Sequence, residues 1–139
     1  MMKRTLMLIM CVVMAISLFG CGQSNEKKYM SLRNEVEAEM KAYNKIVEAI
    51  PDHHGKSKYG PQYAVGKEEF RERFLSYHEK ALPEIVAVQK KVMSKLQEME
   101  KLAKDDLKLK KDFENFGPKN AIFLQNAVEI ETDIIKRYK

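Results

Sequence analysis

The sequence lacks the motifs on which most enzyme classes depend. It contains no Gly-x-Ser-x-Gly or His-Glu-x-x-His pattern and no glycine-rich phosphate loop. Helical di-iron sites need Glu-x-x-His at two places, and here Leu75 stands three residues before His78. We therefore expect a protein that is not an enzyme and holds no cofactor.

Long apolar runs are also missing. Residues 6–19 form a run whose only frankly polar side chain is Ser17, and it is shorter than the roughly 20 residues that span a bilayer. Lys3 and Arg4 precede this run. A positive start followed by a short apolar run is typical of an export signal that is removed on maturation.

The apolar run ends in a Leu-Phe-Gly-Cys sequence at Gly20-Cys21, which resembles the lipobox of bacterial lipoproteins. The resemblance covers residues 1–22 only. It implies that Cys21 carries diacylglycerol and palmitate, and that residues 1–20 are a signal peptide cleaved before Cys21. It also implies a protein outside the cytoplasm, anchored to the bacterial cell membrane or outer membrane. The alternatives are an uncleaved anchor or a plain secretory signal.

Cysteine is scarce, and its positions bear on stability. Cleavage would remove Cys11 and lipidation would block Cys21, so the remaining 119 residues would have no free thiol and no disulfide. Such a domain depends on packing alone. Loss of Lys3 and Arg4 would lower the formal charge from +5 to +3, an excess that we interpret as a solvated surface with some attraction to lipid headgroups rather than to nucleic acid.

After a polar tether at residues 21–25, residues 26–139 show apolar side chains at spacings of three and four, with no alternating strand pattern and no internal repeat. This spacing predicts amphipathic helices. The first stripe comprises Tyr29, Leu32, Val36, Met40, Tyr43, Val47 and Ile50. The second comprises Phe70, Phe74, Tyr77, Ala81, Ile85, Val88, Val92, Leu96 and Met99. The third comprises Leu109, Phe113, Phe116, Phe123, Ala127, Ile130, Ile134 and Tyr138.

Proline positions and helix length predict where the helices end. Pro51 disfavours helical geometry before it, and a helix from 67 to 116 would be about 75 Å long, so we place a break at residues 104–106. We expect kinks near Pro83 and Gly117-Pro118, with Asn120 as a fresh N-cap. The sequence predicts an all-α, antiparallel three-helix bundle. The alternative is four or five shorter helices cut at Pro83 and Gly117.

Residues 51–66 form the longest stretch without periodicity, and long loops in compact domains are often functional or disordered. His53 and His54, beside Asp52, are the best cluster of metal ligands in the chain. They cannot by themselves close a tetrahedral site. His78 is a conceivable further ligand, because it lies near the start of the second helix. The alternative is a polar loop with two exposed histidines.

Tyr59 and Tyr63 flank Gly60-Pro61 in the same loop, and exposed tyrosines are typical of protein interfaces. The alternative is that both rings close the open end of the core. We therefore expect a non-catalytic envelope lipoprotein that contacts another envelope protein through residues 51–66. A binding module for a metal or small apolar ligand, and an immunity or exclusion lipoprotein, are the alternatives.

The same topology predicts a lysine-rich turn on the membrane side of the bundle. Its lysines are Lys101, Lys104, Lys108, Lys110 and Lys111. They could touch anionic headgroups or form an ordinary solvated turn.

Overall fold

The computed structural model describes residues 2–50 and 68–139; the side chains of residues 2–24, Glu69 and Phe70 are not described. Within these ranges the chain forms three α-helices and no strand: α1 (Met2–Glu48), α2 (Glu68–Ala103) and α3 (Leu107–Tyr138). Helix α2 packs along both of the others. The predicted all-α three-helix bundle is confirmed.

The direction of the helices follows from contacts between distant residues. Lys95 of α2 pairs with Glu35 of α1, and Lys91 lies opposite Glu39 one turn further along α1, so α1 and α2 are antiparallel. The turn between α2 and α3 is short. Helix α3 therefore runs antiparallel to α2 as well.

Helix α1 buries the face that its apolar spacing predicts. The buried members of the stripe are Tyr29, Val36, Tyr43 and Val47 within the helix and Ile50 just after its end. Leu32 and Met40 are partly buried against the same core. The helical assignment also runs through residues 21–25, which we expected to form a tether, and the proposed division at residues 20 and 25 stays a prediction.

The break between α2 and α3 lies at residues 104–106, as predicted from helix length. Ala103 ends α2, and Asp106 caps α3 in an extended conformation, its carboxylate oxygen accepting from the backbone N–H of Lys108 at 2.9 Å and of Leu109 at 3.1 Å. Because an Asp N-cap satisfies donors that the first turn leaves unpaired, the chain turns here without glycine or proline.

The two prolines do not divide the helices, so the alternative of four or five shorter helices is wrong. Pro83 lies within α2 and Pro118 within α3, and the kinks that we expected there stay predictions. Asn120 is not an N-cap. It lies inside α3, where its side-chain N–H donates to the carbonyl oxygen of Phe116 at 2.8 Å.

The buried faces of α2 and α3 depart from the predicted stripes at single positions. On α2 the exposed fraction of Tyr77 is 40%, whereas its neighbour His78 is buried. On α3 Ile130 is 55% exposed, whereas Glu131 is buried. In each helix a polar residue therefore occupies a core position that we had given to its apolar neighbour.

None of the helices, over the residues described, is both long and apolar enough to cross a membrane.

Candidate functional site

One end of the bundle contains the buried side chains of a histidine and a glutamate. We call it the loop end: residues 43–50, 71–81 and 127–139, where the chain leaves α1 and returns in α2. Arg71 ties α2 to the end of α3 there, since Nε donates to the carbonyl oxygen of Tyr138 at 2.7 Å and Nη2 to that of Lys139 at 2.9 Å. Lys139 Nζ also pairs with Glu79 at 3.1 Å. These contacts hold α3 against the first turns of α2.

A buried histidine–glutamate pair lies inside the loop end. The side chains of His78 and Glu131 are each 1% exposed, and His78 Nδ1 lies 2.5 Å from Glu131 Oε2. Burying an ionisable group is costly unless it is hydrogen-bonded. The short contact supplies that partner, and it joins α2 to α3 across 53 positions of sequence.

Aromatic rings enclose the pair. The ring of Phe74 lies 4.4 Å from that of His78 and 4.9 Å from that of Tyr138. Tyr43 of α1 completes the surroundings: burial raises the pKa of its hydroxyl, and the charge of Glu131 raises it further. The pair thus lies in an environment of low polarity to which all three helices contribute.

The second ring nitrogen of His78 retains its capacity to form a hydrogen bond. Nε2 is buried and has no hydrogen-bond partner among the described residues. A carboxylate on one ring nitrogen orients the ring and fixes which nitrogen stays available to a ligand. Glu131 therefore presents Nε2 as an acceptor or metal-ligating atom when the ring is neutral.

The described residues do not complete a metal site around His78. No group of three or more His, Cys, Asp or Glu side chains suited to holding a metal occurs in residues 25–50 and 68–139 with described side chains. A metal held at Nε2 would need its other ligands from outside these residues.

Most of the residues that we singled out from sequence lie outside the part that can be described. This holds for the whole 51–66 loop, including His53, His54, Tyr59 and Tyr63. Cys21 lies within the helical range of α1, but its side chain is not described. Their roles stay predictions.

Glu131 is the functional candidate that sequence reasoning missed. It continues the buried run of Leu124 and Ala127 at spacings of three and four, so an acidic residue on an apolar stripe was the available signal. His78 likewise precedes Ala81 and Ile85 at the same spacing. Two ionisable groups on two buried stripes predict a buried pair more directly than the loop histidines predict a metal site.

The opposite end holds a second polar cluster, whose groups are engaged with one another. We call it the anchor end, after the lipid anchor at Cys21, which stays a prediction; it comprises residues 26–33 and 100–118. Tyr29 donates its hydroxyl to Asp112 at 2.8 Å, and Arg33 Nε lies 3.2 Å from the same carboxylate oxygen. The Arg33 guanidinium lies 4.5 Å from the ring centre of Phe116, within range of a cation–π contact. This cluster fastens α1 to α3.

Comparison of the chain with known protein families, with curated proteins and with solved structures finds no match in any of the three.

Proposed function

We propose that this chain is a non-catalytic lipoprotein of the bacterial envelope, anchored through Cys21, that contacts another envelope protein through residues 51–66. The lipobox-like end of residues 1–22 supports the anchor, and the tyrosines of the loop support a protein contact.

The observation that carries the proposal is the separation of the two ends. Lys108 Nζ of α3 lies 3.0 Å from Glu26 of α1. This part of α1 and the α2–α3 turn therefore lie at the same end of the bundle, the anchor end. The chain leaves α1 at the other end. From Glu26 to Glu48 the helix rises about 33 Å, which would set residues 51–66 away from a membrane-bound Cys21.

The anchor is tested by labelling growing cells with a tagged fatty acid. The expected result is a label on the processed chain that begins at Cys21, lost in Cys21→Ser and kept in Cys11→Ser. An unlabelled wild-type chain would overturn the lipoprotein proposal.

The protein contact is tested by photo-crosslinking in cells from a photoreactive residue at Tyr59 or Tyr63, with the same residue at exposed Met93 as control. The proposal expects one recurrent partner from the loop positions only. Its loss on replacing residues 52–63 by a short neutral linker would add support. No adduct from abundant, lipidated protein would refute the contact.

A second candidate, a binding module for a metal or small apolar ligand, is favoured by one specific observation: the buried, unpartnered Nε2 of His78 among the described residues. Its test is the unfolding temperature with added Zn²⁺, Cu²⁺ or a short-chain lipid. A metal-dependent rise that vanishes in His53→Ala/His54→Ala and in His78→Gln would support a metal site. No rise with any of these would exclude the candidate for these ligands.

A further inference from the structure

A cleft lies at the anchor end, between the last turns of α2 and the first turns of α3. Its volume is about 560 Å³, within the usual size of small-molecule pockets. Ala103, Phe113 and Pro118 supply the apolar part of its lining, and Lys101, Lys104 and Lys110 supply cations. An apolar surface combined with ammonium groups suits an amphiphile that carries negative charge.

The charges around the cleft leave these lysines available. None of Lys101, Lys104 and Lys110 forms an ion pair with a described residue, whereas Lys108 is bound to Glu26 at 3.0 Å. Glu100 and Glu114 also line the cleft. Three lysines against two glutamates leave an excess of positive charge.

Of the aspartates nearest the cleft, Asp105 is exposed in the turn and does not line the cleft, and the other two are already engaged. Asp106 caps the helix through the N–H groups of Lys108 and Leu109. Asp112 accepts from Tyr29 and lies against Arg33. Neither of these carboxylates forms an ion pair with a lysine that lines the cleft.

An exposed leucine marks the tip of the same end. Leu107, the first residue of α3, is 70% exposed, the largest value among the exposed large apolar residues in the described parts of the chain. Lys104 and Lys108 flank it, and both are exposed. Apolar side chains set among lysines are characteristic of surfaces that lie in the headgroup region of a membrane.

The position of the cleft fits a membrane contact. Lys108 binds Glu26, and Glu26 follows Cys21 by five residues, a reach of about 8 Å as helix and about 17 Å when extended. Lipid attached at Cys21 would therefore keep the anchor end within reach of the headgroups. This step rests on the proposed function.

We propose that this cleft binds the headgroup of an anionic phospholipid, with Lys101, Lys104 and Lys110 on the phosphate and Phe113 and Pro118 against the first methylenes. The contact would hold the bundle in one orientation on the membrane. It would add a non-covalent lipid site to the covalent anchor.

The test uses the full chain reconstituted into vesicles, with a photoreactive residue replacing Leu107 and lipid adducts identified by mass spectrometry. One set of vesicles is phosphatidylcholine alone, and the other contains one part phosphatidylglycerol to two parts phosphatidylcholine. We expect adducts mainly with phosphatidylglycerol. The triple variant Lys101→Gln/Lys104→Gln/Lys110→Gln should lower their yield about tenfold or more, because each lysine near an anionic surface contributes separately to binding.

The matched control is Lys41→Gln/Lys45→Gln/Lys90→Gln, which removes the same charge at exposed positions away from the cleft. It should keep the adduct yield, and circular dichroism should show equal helix content in both variants. Equal yields with the two lipids, no lipid adduct at residue 107, or an equal loss in both triple variants would each overturn the proposal. Vesicle adducts without fatty-acid labelling in cells would refute the covalent anchor but not the cleft.

Discussion

At the scale of the residue, Gly117 shows how a missing side chain shapes the core. A Cβ at this buried position would lie 2.6 Å from Cε2 and 2.7 Å from Cζ of Phe113, one turn earlier in α3. Phe113 packs against the hydrophobic core. Gly117 does not interrupt α3, and the bend that we expected there stays a prediction. Its missing side chain makes room for an aromatic ring.

Gly117→Ala is therefore expected to destabilise the domain, by about 1 kcal/mol in urea unfolding. Displacing the packed ring costs about 1–3 kcal/mol, and the higher helix propensity of alanine offsets up to about 1 kcal/mol. In a Phe113→Leu background the same change should become neutral or stabilising. Equal effects of Gly117→Ala in the two backgrounds would show that Phe113 does not fill this space.

The buried pair of the loop end gives a prediction about coupling. Glu131→Met alone should destabilise the domain by about 1–3 kcal/mol, because it leaves Nδ1 of His78 buried without its hydrogen-bond partner. His78→Leu alone should also destabilise the domain, because it removes the buried hydrogen bond to Glu131. The double variant should recover much of the loss, since replacing both polar partners by apolar groups is close to neutral. A double-mutant cycle in urea measures this, and strictly additive losses would contradict it.

The hydroxyl of Tyr29 gives a prediction about pH. Burial, the hydrogen bond to Asp112 and the charge of Asp112 all raise the pKa of Tyr29. An unfolded tyrosine ionises near pH 10, while the folded one keeps its proton. The stabilisation is thus complete below about pH 10 and is lost as the pH rises above it.

Unfolding in urea at pH 8 and pH 11 checks this expectation. At pH 8 Tyr29→Phe should cost about 1 kcal/mol for the lost hydrogen bond, and this cost should shrink at pH 11. Tyr77→Phe, at an exposed ring, is the control. A difference between wild type and Tyr29→Phe that stays constant over this range would contradict the assignment.

At the scale of the element, the boundary between α2 and α3 depends on one carboxylate. Asp106→Ala removes the acceptor for two backbone N–H groups of α3 and should cost about 1 kcal/mol in urea unfolding. Asp106→Asn should retain most of the stability. Asp105→Ala, at the exposed preceding residue, should change little. A larger loss at residue 105 than at residue 106 would show that the cap is misassigned.

Sequence patterns predicted the helices more accurately than they predicted which side chains of each helix are buried. Tyr77 and His78 lie four and three residues before buried Ala81, and Ile130 and Glu131 lie three and four residues after buried Ala127. Both spacings are helical, so spacing alone admits either member of each pair. Apolar spacing favoured Tyr77 and Ile130. The pairing of His78 with Glu131 across two helices favours the rotation that the structure adopts.

At the scale of the whole molecule, the described side-chain contacts between helices begin at Glu26, which binds Lys108. A chain that starts at Gly22 should therefore unfold at a temperature close to that of the full chain. A chain that starts at Leu32 should be clearly less stable, since it lacks Tyr29, which is buried and bonded to Asp112. Thermal unfolding followed by circular dichroism compares the three. A large drop in unfolding temperature for the chain that starts at Gly22 would show that residues before Gly22 contribute to the stability of the bundle.

The sequence by itself determined the three helices of residues 2–50 and 68–139, the buried face of α1 and the turn at residues 104–106, because apolar spacing and helix length can be read from neighbouring residues. Only the tertiary structure decided the buried partner of His78 and the continuity of α3 through Pro118. The pair of His78 with Glu131 joins residues 53 positions apart, and the continuity of α3 depends on how the whole helix packs. Such contacts are set by the assembled bundle, which no local pattern contains.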